Sequence, residues 1–209
     1  MEIVVRIDSS GRTASGQTPL DVLRANLPAI QGLQCRCVHW HLVADPLPHP
    51  SIISTMESEL LPQFEEATAL AQHHEFQFGI EHNEPDLLLF GTPDACERLL
   101  EAVPGIGFVW DLNHTIPDHL VAFENLTPRM SMLHISDTLL PQVNSHWPVG
   151  RGNIDFASYF QVLTQYRFDG PAILEIGGLP QSGGYGQDTD EALVNSLLAL
   201  KQLCTSRTG

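Results

Sequence analysis

Short apolar runs alternate along the chain with stretches whose apolar residues recur at helical spacing. Continuous Val/Ile/Leu/Phe runs bounded by turn residues read as strands buried on both faces. They lie at 2–7 (EIVVRI), 35–43 (CRCVHWHLV), 76–82 (FQFGIEH), 106–112 (IGFVWDL), 131–137 (SMLHISD) and 171–176 (PAILEI). Helical patterns occupy 19–30, 51–74, 92–103, 118–126, 156–167 and 189–203. Thr92 followed by Pro93 and early acids marks a helix start, and Ser51 is the candidate cap of the helix before it. Six strand–helix pairs without a run of hairpins predict an α/β fold with a parallel sheet and right-handed crossovers, open or closed into a barrel. No repeat or linker interrupts the 209 residues, so 1–209 reads as one domain. The open doubly wound alternative is weakened because DSSGRTASG, after the first strand, lacks the dinucleotide-binding glycine pattern.

Five of these strands end in groups that can bind metal. The second carries His39 and His41, the third ends in Glu81, and the fourth in Asp111 with His114 three residues on. The fifth carries His134 and Asp137, the last Glu175. Parallel α/β folds collect chemistry at the carboxyl ends of their strands. A single acid there is often a cap or a surface group, and a single His a hydrogen-bonded core residue. Recurrence changes the reading, because buried carboxylates gathered without a cation cost several kcal/mol and few Lys or Arg lie near them. Two or three carboxylates plus one imidazole suit one divalent ion, Mn²⁺, Mg²⁺, Co²⁺ or Zn²⁺, with positions left for substrate oxygens.

Charge narrows the partners. The chain has 25 acids against 10 Lys and Arg, a net charge of −15, and no basic cluster. A nucleic-acid backbone would be repelled by such a surface, whereas a small neutral or chelated substrate would not. No apolar run reaches the roughly 18 residues of a membrane span, and the first residues lack the pattern of a signal peptide. Cys35, Cys37, Cys96 and Cys204 are too few and wrongly spaced for a disulfide scaffold or a zinc knuckle. They read as reduced thiols of a cytoplasmic protein.

The segments FGIEH, GFVWDLNHT, MLHISD, HWPVGRGNIDF and PAILEIGG resemble the last four strands of the xylose isomerase-like TIM-barrel superfamily. That superfamily includes sugar and sugar phosphate isomerases, D-tagatose 3-epimerase, inosose dehydratases and endonuclease IV. The most distinctive parts are the D-x-x-H of Asp111 and His114, the H-x-x-D of His134 and Asp137, and the G-x-G of Gly150 and Gly152; the likeness runs from about residue 35 to 200. It implies a TIM-type (β/α) barrel, incomplete, with about six βα units and the first two missing. It implies one ion on Glu81, Asp111, His134 and Glu175, with the two glutamates also serving as the acid/base pair and His114 contacting a substrate hydroxyl. The implied reaction isomerises or epimerises a small sugar, sugar phosphate or polyol by removing a proton beside a carbonyl, through an enediolate. Alternatives are an inactive barrel that binds or scaffolds, and an endonuclease IV-like hydrolase.

Other residues complete the expected site. His41 shares a strand face with His39, so one of the two lines the pocket, and Arg151 is a hook for a substrate anion. His146 stands where the endonuclease branch places a further zinc ligand, but the acid expected two residues earlier is Asn144. Phe78 and Trp147 are candidates for covering a sugar face, and Trp110 for packing between strand and helix. Missing strands would leave parallel edges exposed, which points to a homo-oligomer.

Overall fold

The computed structural model describes residues 1–178, 180 and 183–205. Its strands are β1 (Glu2–Ile7), β2 (Cys37–Ala44), β3 (Gln77–Glu81), β4 (Gly107–Asp111), β5 (Met130–Ile135) and β6 (Ala172–Leu174). Its helices are α1 (Pro19–Gly32), α2 (Ile53–His73), α3 (Pro93–Ala102), α4 (Leu120–Glu124), α5 (Phe156–Gln165) and α6 (Asp190–Thr205). Each expected element is present in the expected order. The strands follow chain order in one sheet, with β1 and β6 at its ends, and the described pairs are parallel. The result is an incomplete (β/α) barrel of six units. Among the described residues no helix is long and apolar enough to cross a membrane.

The chain packs as two compact units, Met1–Val109 and Trp110–Gly209. In the first, β1, β2 and β3 pair so that Val4, His41 and Glu81 stand at one level. Trp40 of β2 buries its ring between Phe78 of β3 (4.8 Å, edge-on) and Phe64 of α2 (5.1 Å), and Phe90 extends the cluster. Phe78 is therefore a core residue and does not cover a substrate. Side chains alternate along a strand, and a residue three before Glu81 points to the opposite face.

Helix ends are set by local chemistry. Thr18 and Asp21 form a reciprocal capping box at α1, and these bonds hold the Asp21 carboxyl below its ordinary range. Ser51 does not cap α2. It lies within a 3₁₀ turn at Pro50–Ile52, and its hydroxyl pairs with His49 Nδ1 at 2.8 Å. Thr92 does cap α3, its hydroxyl accepting from the Ala95 amide at 3.3 Å. Thr92→Ala should cost about 1 kcal/mol and lower the melting temperature by roughly 2–4 °C; an unchanged thermal transition would deny the cap its role.

In the second unit β5 is buried along its length. Trp110 lies between strand and helix as expected, its ring 5.2 Å from Tyr159 of α5 and its Nε1 donating to Thr115 Oγ1 at 2.9 Å. β6 is short, and its Ile173 is 39% exposed, as befits the last strand in the sheet order.

Candidate active site

In the first unit Glu81 closes β3 and is fully buried. Two imidazoles from β2 face it. His39 Nε2 lies 3.3 Å from Glu81 Oε2, and His41 Nδ1 lies 3.8 Å from the same oxygen. His41 Nδ1 is also 3.1 Å from Glu2 Oε1, while its Nε2 sits 2.8 Å from Asn83 Oδ1. Burial alone would pull the His41 pKa down. The charge of Glu81 and the bonds to Glu2 and Asn83 outweigh that, and it is pushed up to about 9. Glu2, His41 and Glu81 each offer a ligand atom, all within 4.8 Å of one another. Sequence reading put His39 and His41 on one face with one of them lining the pocket, but did not foresee their approach to Glu81 and Glu2. It looked for Lys and Arg as counter-charges, whereas His41 of the adjacent strand, its pKa raised by Glu81 and Glu2, supplies one.

The second unit gathers three of the four expected ligands. Asp111 closes β4, His134 lies near the end of β5, and Glu175 follows β6, its amide continuing the ladder to Ile135 O at 2.8 Å. One ligand atom from each lies within 4.8 Å of those from the other two. His134 Nδ1 is 3.1 Å from Glu175 Oε2. Asp111 and His134 are buried, whereas the Glu175 side chain keeps 33% of its surface open to solvent. Asp111 Oδ1 accepts from the Asn113 amide at 2.6 Å, and its Oδ2 faces His114 Nε2 at 3.5 Å. Within this unit two carboxylates, Asp111 and Glu175, and one imidazole, His134, form a donor set that suits a hard or borderline divalent ion.

The loop after β5 has a different task from the ligands. Asp137 is buried, and its carboxylate accepts four backbone amides: Thr138 at 2.9 Å and Ile154 at 3.3 Å on Oδ1, Gly150 at 2.8 Å and Gly152 at 2.9 Å on Oδ2. Its backbone also pairs both ways with Trp147. The H-x-x-D and G-x-G motifs are thus one structural device, the acid shaping the loop and the glycines fitting against it. That role is not readable from spacing.

This loop places the remaining candidates. His146 is buried, and its Nδ1 donates to the Glu175 carbonyl at 3.3 Å. Its Nε2 lies 2.7 Å from the Asn144 side-chain amide, and its ring is 5.9 Å from that of His114. Asn144 and His146 both take positive φ, 61° and 51°, a strained geometry that persists where the surroundings over-determine it. Among the described residues His114 and His146 join no group able to hold an ion. Arg151 is exposed at the loop tip and in no ion pair among the described residues. Trp147 is half-buried, and a Cβ at Gly183 would strike its indole nitrogen, so that glycine lies tight against the ring.

Comparison with known proteins agrees with this architecture. Residues 13–202 match the model of the xylose isomerase-like TIM barrel, and the chain belongs to that family. Similar solved structures include a D-tagatose 3-epimerase-like protein (21% identity, 98% of this chain and 77% of that one, TM-score 0.68). A D-allulose 3-epimerase from Methylomonas sp. is 16% identical over 88% of this chain and 68% of its own, with a TM-score of 0.71. An AP endonuclease, family 2, from Brucella melitensis is 16% identical over 88% and 76%, with a TM-score of 0.59. At these identities the likeness is one of fold. No curated protein matches the chain.

Proposed function

We propose that this chain is a divalent-metal-dependent isomerase or epimerase of a small sugar, sugar phosphate or polyol. The observation that carries the reading is the group of Asp111, His134 and Glu175, three ligand types converging in one unit. Glu81 is proposed as the fourth ligand. It ends β3 as Asp111 ends β4, and those strands pair in parallel with Glu81 opposite Val109. Family membership supports the same set.

When bound, the ion supplies positive charge against the negative charge that grows on a substrate carbonyl oxygen. Glu81 and Glu175 are assigned proton removal and return at the carbon beside that carbonyl. His114, turned toward Asp111, orients a substrate hydroxyl, and Arg151 is the remaining candidate for an anionic substituent. The hydrolase alternative has less support, because His146 Nε2 is directed at the Asn144 amide where a further ion would need an acid. A cytoplasmic homo-oligomer completes the proposal, supported by the free thiols and by exposed Val4 on β1 and Ile173 on β6.

Metal analysis coupled to a ketose and sugar phosphate panel in D₂O tests the reading. We expect about one ion per chain and deuterium beside the carbonyl of a turned-over sugar. Exhaustive chelation should lower the melting temperature, since an ion held at 100 times its Kd stabilises by about 2.7 kcal/mol. Metal-free protein with the same melting curve, and no exchange on any sugar, would refute the proposal.

A further inference from the structure

Asn83 lies two residues beyond Glu81, is fully buried, and has every side-chain polar atom engaged. Its Nδ2 donates to Leu42 O at 2.7 Å, at the end of β2, and to Leu89 O at 2.6 Å, in the loop that leads to α3. Carbonyls only accept, so these two bonds fix which way the amide points and leave Oδ1 facing His41 Nε2 at 2.8 Å. An amide oxygen also only accepts. His41 therefore carries a proton on Nε2, and Nδ1 is the nitrogen turned toward Glu2 and Glu81. The loop is held from its other side as well, the Phe90 amide donating to Glu57 Oε1 at 2.9 Å and Arg98 bracing Glu57 at 3.2 Å. Leu88 and Phe90 in that loop take positive φ, 64° and 51°, a conformation that bulky residues keep only under such restraint.

From this geometry we propose that Asn83 is a positioning residue for Glu81, acting through His41. Its amide oxygen fixes the proton-bearing nitrogen and the ring orientation, and its NH₂ locks the ring's platform by tying the end of β2 to the 85–90 loop. The inference rests on Glu81 being a ligand and base, as proposed above. An outer partner that fixes an imidazole beside a metal-binding carboxylate acts on that carboxylate's placement, and loss of such partners typically weakens metal binding by 10–100-fold.

Two substitutions separate the two tasks of the amide. Asn83→Ala removes both, whereas Asn83→Asp keeps an acceptor for His41 and loses the donors to Leu42 and Leu89. In ¹H–¹⁵N spectra of the metal-free full chain, the wild type should show a slowly exchanging, hydrogen-bonded His41 Nε2–H, identified by its loss in His41→Gln. Asn83→Ala should lose that signal and bind Co²⁺ roughly 10–100-fold more weakly by calorimetry. Asn83→Asp should keep the signal and melt earlier. A ring signal that survives in Asn83→Ala, or unchanged Co²⁺ affinity once it is lost, overturns the inference. Wild-type protein that binds no Co²⁺ overturns the metal reading instead, and the ring signal then decides alone whether Asn83 holds His41.

Discussion

Glu81→Gln and Glu175→Gln are each expected to slow solvent-deuterium incorporation into the substrate by roughly 10²–10⁴-fold, the usual range for loss of a general acid or base. Glutamine keeps the side chain's length and an oxygen, so a ligand's bulk survives while the proton acceptor is lost. The two variants should differ in stability. Glu81 is fully buried and faces His39 and His41, so its amide replacement takes the carboxylate away from His39 and leaves His41 with Glu2 alone. Glu175 is a third exposed and has His134 at 3.1 Å, where solvent relieves part of the loss. Glu81→Gln should therefore lower the melting temperature more than Glu175→Gln. Exchange rate, metal content and melting temperature measured on the same preparations decide between roles. Loss of exchange with metal retained assigns proton transfer. Loss of both assigns ligation first, and full exchange in both variants removes the acid/base pair.

Much of the fold was legible because its signals are local. β1 stands at 2–7 as its apolar run predicts, and α3 starts at Pro93 behind the Thr92 cap because a hydroxyl acceptor and a prearranged φ are sequence-local facts. Ser51 misled for the complementary reason. A cap needs the backbone to turn into the helix there, and a 3₁₀ turn at Pro50–Ile52 moves that point to Ile52. Phe78 was misplaced although its parity with Glu81 was readable. The strand-end positions of Glu81, Asp111, His134 and Glu175 followed from the pattern, but their neighbours did not. His41 meets Glu2 from 39 residues away and Asn83 from 42. Such pairings depend on sheet register and side-chain direction, which strand propensity leaves open.

Gly152→Ala is expected to destabilise the protein by ~3 kcal/mol, near the upper range for overpacking a closely fitted site, and to lower the melting temperature by roughly 6–12 °C. The reason is contact and not φ. A Cβ on Gly152 would overlap the Thr138 carbonyl oxygen and Asp137 Oδ1, and neither can give way easily. Thr138 O accepts from the Asn153 amide at 2.9 Å, and Oδ1 holds the Thr138 and Ile154 amides. Gly150 provides the control. Its Cβ would meet nothing within 4 Å, but its φ of +89° is unfavourable for any other residue, so Gly150→Ala should cost about 1–2 kcal/mol from backbone strain alone. Asp137→Asn should approach the Gly152→Ala loss, since one carboxylate oxygen becomes a donor facing amides that themselves need an acceptor. Unfolding monitored by heat and by denaturant should rank Gly152→Ala and Asp137→Asn below Gly150→Ala. Equal melting temperatures for the two glycine variants would mean that the loop relaxes around the new methyl group and that Asp137 does not hold it in place.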